Sequence, residues 1–135
     1  MPDLNGPSPV LNNISSWQAG DGNVNEAKFG VQGDPAAVTD AATLTAAQLG
    51  TGLLVLTSAG GDTYTLPTVA LWEAAYPNCK LNTSFDFAIV SLSGTSTLAV
   101  GTGWTIVGHA TMATVSGMWR ARKTGAGAWT AYRLA

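Results

Sequence analysis

Charged residues are scarce in this sequence of 135 residues: they make up 10% of it, against roughly a quarter in ordinary globular domains. The formal net charge is −2, so the chain as a whole has no positive field that would attract nucleic acid or an anionic membrane. A surface with so few charges must be covered by small polar residues or partly hidden against another chain. The five tryptophans favour the second arrangement, because aromatic residues are enriched in protein interfaces.

Cysteine and histidine each occur once, as Cys79 and His109. A single cysteine excludes a disulfide within the chain and a cysteine-based metal site. No apolar run approaches the ~18 residues of a membrane span. The N-terminal MPDLNGPSPV lacks the basic start and apolar centre of a signal peptide. We therefore expect assembly in a cytoplasm, with no membrane partner.

The residues that usually carry catalysis are isolated from one another. His109 lies in the turn VGHAT, without the spacing that would indicate a Ser-His-Asp triad, and Cys79 belongs to no recognisable dyad. Asp62, Glu73 and Asp86 are single carboxylates rather than a pair that specifies glycosidase chemistry. A small hydrolase that joins one of them to His109 stays open as an alternative. We predict that the chain is not an enzyme and uses no cofactor and no metal.

Residues 1–40 differ from the rest of the chain. They contain four of the six prolines and show too little periodicity to bury a continuous face that would offset their ordering entropy. Apolar residues nevertheless recur along the segment. This pattern predicts an extended N-terminal arm that becomes ordered on a partner, and a loosely packed cover on its own domain is the other interpretation. The candidate contact residues of the arm are Val10, Leu11, Ile14, Trp17 and Phe29.

Residues 41–135 carry short strand signals separated by turns, which predicts one β-domain. The stretches 53–57 and 63–66 flank Gly60-Gly61 and predict a hairpin. In residues 84–92, the alternation places Phe85, Phe87 and Ile89 on one face. Eight or nine such strands indicate a mainly β fold: a jelly-roll-like β-sandwich or barrel with one short helix and the extended N-terminal arm.

The stretch GDTYTLPTVALWEAAYPN, residues 61–78, holds the one predicted helix. Thr68 can cap this helix, and Pro77 ends it because the residue before a proline disfavours helical angles. The stretch therefore predicts a connector that closes one end of a β-structure. The helical spacing predicts that one side is buried, namely Val69, Leu71, Trp72 and Tyr76.

Basic residues are concentrated near the C-terminus, where no carboxylate side chain follows Asp86. Arg120 and Arg122 share one face of a predicted strand, and Trp119 lies on the other. A basic aromatic patch for single-stranded nucleic acid is one interpretation, but an outward cationic stripe over a buried tryptophan is favoured. We take Arg120 and Arg122 as candidate contact residues for a capsid or for another subunit.

The order of several short motifs is typical of one class of protein. TYTLPT at residues 63–68 is followed by a short helix, Asn78, TSF at 83–85, TLA at 97–99, GTG at 101–103 and Gly117. Residues 50–135 in this order resemble small β-domains of tailed-bacteriophage virions, in particular head decoration (cement) proteins. The resemblance implies a structural role in the virion and does not by itself choose between head and tail.

The resemblance and the arm together predict a homotrimeric capsid decoration protein. We expect it to bind the outer surface of the phage head between major capsid proteins, after assembly in the host cytoplasm, with no nucleic-acid partner. The alternative is a receptor-binding or carbohydrate-binding module of a tail or head fibre. That alternative predicts exposed aromatic residues in a groove, with Trp104 or Trp129 beside Tyr132 as candidates.

Overall fold

The computed structural model describes residues 16–18 and 28–135, and the chain divides into two compact units, residues 1–33 and 34–135. The described residues form a mainly β fold with ten strands and two helices. The strands are β1 (Ser16–Gln18), β2 (Lys28–Gly30), β3 (Ala36–Thr39), β4 (Ala42–Thr43), β5 (Leu53–Thr65), β6 (Ser84–Ala99), β7 (Trp104–Val107), β8 (Thr111–Ala113), β9 (Gly117–Gly125) and β10 (Ala128–Arg133); the helices are α1 (Ala46–Gly50) and α2 (Val69–Ala75). Neither helix has the length and hydropathy needed to cross a bilayer.

In the first unit, β1 and β2 form an antiparallel pair in which Trp17 is opposite Phe29. The second unit is built on an eight-stranded sheet in the order β3-β5-β6-β9-β10-β7, with β4 beside β5 and β8 beside β6. The pairs β3–β5, β5–β6 and β10–β7 are parallel, whereas β6–β9 and β9–β10 are antiparallel. Residues 36–39 lie within the predicted arm, residues 1–40. They nevertheless pair with β5 in this sheet.

The hairpin predicted at Gly60-Gly61 is wrong. The two stretches that flank these glycines belong to one strand, β5, and both pair in parallel with β6. Leu53 is opposite Ala88 before the glycines, and Thr65 is opposite Ala99 after them. The predicted strand at 84–92 likewise continues through TLA at 97–99, so that both belong to the single strand β6. A Gly-Gly pair permits a reversal but does not require one, and the long partner strand keeps the chain running in one direction.

The sheet has a line of interruptions that crosses neighbouring strands at one level. The β5–β6 register shifts between Leu56 and Gly61, and three residues along the line have positive φ: Asp40 (65°), Gly94 (67°) and Thr114 (56°). Hydrogen bonds join the strands there, from Asp40 N to the Thr57 carbonyl and from Thr114 N to the Gly94 carbonyl, both 3.0 Å. We call residues 57–61 of β5, together with Asp40, Gly94 and Thr114, the interruption line.

Helix α2 follows the sequence prediction at its start and departs from it on one face. Thr68 caps the helix, because its Oγ1 accepts from Leu71 N at 3.2 Å, and Val69 and Trp72 are buried. The predicted burial of Leu71 and Tyr76 is wrong, since their exposed fractions are 62% and 39%. A helix of seven residues presents only one i, i+3 pair to the core, and Leu71 lies off that stripe.

The second helix, α1, was not predicted from the sequence. Thr45 and Gln48 form a reciprocal capping box at its start, in which Gln48 N donates to Thr45 Oγ1 at 3.1 Å and Thr45 N donates to Gln48 Oε1 at 2.9 Å. Leu49 is its buried residue. Five residues are too few for a periodic pattern to indicate a helix, so the capping box was the available signal.

The core lies between the inner side of the sheet and the two helices. It contains Trp72, Trp104, Trp119 and Trp129, each 5% exposed or less. The indole of Trp72 stacks on Phe85 with ring centroids 4.9 Å apart and meets Trp129 edge-on at 5.9 Å. The predicted alternation is confirmed in β6, where Phe87 and Ile89 are buried, and in β9, where Trp119 and Ala121 are buried. In β10 the three consecutive residues Trp129, Thr130 and Ala131 are all buried, so burial does not alternate there.

Candidate interaction surface

The side of the sheet that faces away from the core carries an unusual number of apolar residues. Both helices bury residues in the core cluster, which includes Leu49, Val69 and Trp72, so they leave this outer side open. On β6, the residues that alternate with Phe87 and Ile89 are themselves apolar. We define the outer apolar face as the set Ala37, Leu53, Val55, Ala88, Val90, Leu92, Met118 and Leu134.

Strand register brings these residues together in two rows. Leu53, Ala88 and Met118 are aligned across β5, β6 and β9, and the Leu134 N–H extends this row by donating to the Met118 carbonyl at 2.8 Å. In the next row, Ala37, Val55 and Val90 are aligned across β3, β5 and β6. Cross-strand neighbours on one face are close enough to form a continuous surface.

Four residues of the outer apolar face are exposed, one of which is the small residue Ala37. Leu92 is 61% exposed, Met118 46% and Leu134 49%. Leu53, Val55, Ala88 and Val90 are half-buried by their neighbours on the sheet. An exposed contiguous apolar patch of this kind usually marks a site of contact with another molecule.

The next row on the outer side is polar and is paired within the chain. Arg120 is opposite Asp86 on the neighbouring strand, and the guanidinium is bidentate on the carboxylate, with Nε–Oδ1 2.6 Å and Nη2–Oδ2 3.0 Å. The hydrogen bonds from Arg120 hold the pKa of Asp86 below its ordinary value. Because the side chains are 52% and 40% exposed, solvent screens the pair, and it adds little to stability.

Arg122 is also engaged by its own chain. Its Nη1 donates to Asn82 Oδ1 at 2.8 Å and its Nη2 to the Tyr132 hydroxyl at 2.8 Å. The prediction that Arg120 and Arg122 point away from a buried Trp119 is confirmed. The charge of Arg120 is paired with the carboxylate of Asp86, whereas Arg122 is hydrogen-bonded only to neutral acceptors.

A third charged contact ties the connector to the sheet. Glu73 Oε1 in α2 accepts from Lys123 Nζ at 3.0 Å and from Trp129 Nε1 at 3.1 Å. The hydrogen bond from Lys123, followed by the one from Trp129, holds the pKa of Glu73 below its ordinary value. Lys123 Nζ also donates to the Cys79 carbonyl at 3.2 Å. One lysine therefore fixes both the helix and the chain that leaves it.

Most of the arm residues proposed as contacts are not placed by the structure. Val10, Leu11 and Ile14 lie outside the described residues, and only the backbone of Trp17, in β1, is described. Phe29, in β2, is 47% exposed. The structure brings Arg120 together with Asp86 and Arg122 with Tyr132.

The carbohydrate-binding alternative predicts that Trp104 or Trp129 is exposed in a groove, and this prediction is wrong. Trp104 is 5% exposed and Trp129 is 1% exposed, and their rings pack on each other at 5.7 Å. A shallow open depression of about 380 Å³ does lie at the end of α2. Its lining includes Tyr76, Asn78 and Thr83, which supply one aromatic ring and two polar side chains.

The three carboxylates considered for catalysis each accept a hydrogen bond from another residue. Asp62 Oδ2 accepts from Ala59 N at 3.3 Å, Glu73 is held by Lys123, and Asp86 is held by Arg120. His109 is exposed, and its carbonyl accepts from Arg133 Nη1 at 3.0 Å. Within the described part of the chain, no group of three or more His, Cys, Asp or Glu side chains could hold a metal ion.

The outer apolar face was missed in the sequence, although it left a signal there. In residues 84–92 the alternation ends in AIVSL, where both faces of the strand are apolar. A strand that is apolar on both sides indicates that both sides are covered.

Comparison with family models, with curated proteins and with solved structures gives no match for this chain.

Proposed function

We propose that this chain is a virion structural protein: a decoration protein that binds the outer surface of a phage head between major capsid proteins and stabilises it. The observation that carries the proposal is the outer apolar face. The neighbouring arginines Arg120 and Arg122 are hydrogen-bonded within the chain. Such a surface suits contact with another protein, because the centre of an interface is depleted of charge. The resemblance of residues 50–135 to small phage virion β-domains supplies the setting.

The proposed mechanism is mechanical. Each copy gains little from its own contact area, but a homotrimer that reaches neighbouring capsid proteins binds through several contacts at once. The part of the arm that precedes the second unit, residues 1–33, adds apolar contacts by becoming ordered on the shell. The added interface opposes the internal pressure of packed DNA. The protein acts without a cofactor and as a binding partner rather than an enzyme.

The proposal includes a finer description of the fold. We propose that the sheet folds over a single core at the interruption line, as a jelly-roll-like β-sandwich or barrel does. Core residues before and after the line support this arrangement, since Leu54 and Leu56 precede it in β5 and Tyr64 follows it, all fully buried. Ser93 Oγ donates to the Ser58 carbonyl at 3.0 Å and joins the two longest strands at that level.

Immunogold electron microscopy of whole virions, with an antibody against this chain, tests the proposed location. Label spread over the head is the expected result. Label confined to the tail tip or to fibres would contradict a decoration protein and support the receptor-binding alternative. The control is the same antibody after absorption with the purified protein, which should remove the label.

A further inference from the structure

We propose that Arg122 and the polar side chains around it form a binding site for an oxyanion, the carboxylate or phosphate group of a ligand. The site lies on the outer side of the sheet, one row beyond the Asp86–Arg120 pair, since Arg122 in β9 is opposite Ser84 in β6. The apolar rows lie on the other side of that pair. The proposal therefore uses no residue of the outer apolar face and goes beyond the proposed function.

Arg122 carries a charge that no carboxylate of the described residues neutralises. Arg120, two positions before it, is paired with Asp86 at 2.6 Å. Lys123, the next residue in the chain, is paired with Glu73 at 3.0 Å. Arg122 is half-buried and meets only neutral oxygens. Because taking a charge out of water without a counter-ion costs free energy, an anionic ligand would offset that cost.

The guanidinium of Arg122 is held in one orientation and still has donors to spare. The Tyr132 hydroxyl oxygen accepts from Nε at 3.3 Å and from Nη2 at 2.8 Å, and Asn82 Oδ1 accepts from Nη1 at 2.8 Å. These contacts use three of the five N–H groups of a guanidinium, so one remains on Nη1 and one on Nη2. A bidentate contact with a carboxylate or phosphate takes two N–H groups. Because the side chain is already ordered, binding costs less conformational entropy.

The neighbours of Arg122 add further donors. The Tyr132 hydroxyl accepts from Arg122, so its own hydrogen is available, and the Asn82 amide NH₂ is unused among the described residues. Ser84 is exposed opposite Arg122, and its hydroxyl has no hydrogen-bond partner in the part of the chain that the structure describes. A cation surrounded by N–H and O–H donors favours an anionic ligand, because each of these groups can donate to it.

The backbone fixes Asn82 in its place beside Arg122. Its φ is +69°, a conformation that Asn adopts more readily than most residues with a side chain. Asn82 N donates to the Lys123 carbonyl at 3.0 Å, and Lys123 N donates to the Thr83 carbonyl at 2.9 Å. The turn that precedes β6 is therefore attached to β9 next to Arg122, and the Asn82 amide does not depend on the Arg122 contact alone for its position.

NMR titration of the full chain tests the site, with sodium acetate and sodium phosphate as the two probes. Each replaces chloride at constant ionic strength, so that general screening stays the same. The Nε–H resonance of Arg122 should shift to saturation with at least one probe. The Nε–H resonance of Arg120 is the control in the same spectra and should show no saturable shift, because its charge is already paired with Asp86. The probe with the lower Kd identifies the group as carboxylate or phosphate.

Asn82→Asp gives the sharpest variant. Aspartate has nearly the size of asparagine and also tolerates a positive φ, so the chain should keep its fold while Arg122 gains an internal carboxylate. The variant should raise the Kd of either probe by about tenfold or more, because an anion must then compete with a charge-assisted contact. Asn78→Asp is the matched control: Asn78 is exposed in the loop after α2, and the same added charge there should leave the Kd unchanged.

The backbone amide spectrum shows whether each variant keeps the fold. If Asn82→Asp does not fold, Tyr132→Phe decides, since it removes the hydroxyl that holds the guanidinium and should raise the Kd. Shifts that stay linear with both probes, equal shifts at Arg120 and Arg122, or an unchanged Kd in the folded variant would overturn the proposal. Immunogold label on the tail would contradict the decoration proposal and leave this result unaffected.

Discussion

At the scale of single residues, the four buried tryptophans of residues 34–135 differ in what their indole N–H groups meet. Trp104 Nε1 donates to the Pro67 carbonyl at 2.8 Å, and Trp129 Nε1 donates to Glu73. The indole nitrogens of Trp72 and Trp119 have no hydrogen-bond partner among the described residues. Ring burial is common to all four, so an indole hydrogen bond distinguishes Trp104 and Trp129 from Trp72 and Trp119.

Trp104→Phe should therefore destabilise the protein more than Trp72→Phe. Both substitutions remove part of a buried indole, but only the first leaves the Pro67 carbonyl without its partner, at a cost of about 1–3 kcal/mol. Trp72→Phe removes an N–H that has no partner in the described residues. Urea unfolding of the two variants measures the difference. Equal losses of stability would mean that the Trp104–Pro67 hydrogen bond contributes nothing.

Gly94 is required by its backbone and by its surroundings. Its φ is +67°, and an added Cβ would lie 2.6 Å from the Ser58 carbonyl oxygen. Gly94→Ala should destabilise the chain by about 2 kcal/mol or more, since the left-handed conformation alone costs a side chain about 1–2 kcal/mol. Gly60→Ala is the matched control, because an added Cβ there meets nothing within 4 Å. Thermal unfolding should separate the two, and an unchanged midpoint for Gly94→Ala would contradict the tight packing of the interruption line.

At the scale of elements, the connector between β5 and β6 is held to the sheet from both ends. Pro67 accepts from Trp104 before α2, and Lys123 holds both Glu73 within the helix and the Cys79 carbonyl after it. The β5–β6 pair is parallel, and a parallel pair needs a crossover of this kind. The stretch GDTYTLPTVALWEAAYPN is therefore the end of one strand and the start of this crossover.

The contact of Glu73 should make stability depend on pH in the acid range. Its pKa is lowered in the folded chain, so the contact stabilises the fold above the ordinary glutamate pKa of about 4.3. That stabilisation is lost as the pH falls through the lowered, folded value. Glu73→Gln should reduce stability at pH 7 and flatten the acid part of the stability curve. Urea unfolding at pH 7 and near pH 3 measures this, and a variant that loses stability equally at both values would contradict it.

At the scale of the whole molecule, residues 34–135 form a compact unit that contains the eight-stranded sheet, both helices and the outer apolar face. Residues 1–33 form the other unit. The decoration proposal gives these units different tasks. Residues 1–33 add a contact with the shell, and residues 34–135 are the stable body.

Deleting residues 1–33 should accordingly weaken capsid binding without unfolding the second unit. The deletion removes all candidate contacts of the arm and leaves β3 and every later element intact. Co-sedimentation with undecorated phage heads measures binding, and circular dichroism with cooperative thermal unfolding measures folding. Undiminished binding of the shortened chain would contradict the role of the arm, whereas Leu71→Glu in the full chain serves as a control for a surface change elsewhere.

Local patterns determined much of the second unit. Alternation in residues 84–92 and 118–122 correctly separated buried from outward side chains, because a strand places successive residues on opposite faces whatever its partner. The Thr68 cap and the end of α2 before Pro77 are similarly local. The mainly β character follows from these signals together, as does the separation of Trp119 from the two arginines.

Strand partners and direction were decided only by the tertiary structure. The sequence around Gly60-Gly61 is compatible with a hairpin or with one interrupted strand, and the long partner β6 selects the second. The bidentate contact between Asp86 and Arg120 spans 34 positions and depends entirely on the β6–β9 register. The outer apolar face depends on the same registers, since its members come from the four strands β3, β5, β6 and β9 and from the residue that follows β10. Alternation is a property of one segment, whereas strand pairing is a competition among all segments. The sequence by itself therefore determined which side chains lie on the same face of a strand. Only the tertiary structure decided which residues of other strands those side chains contact.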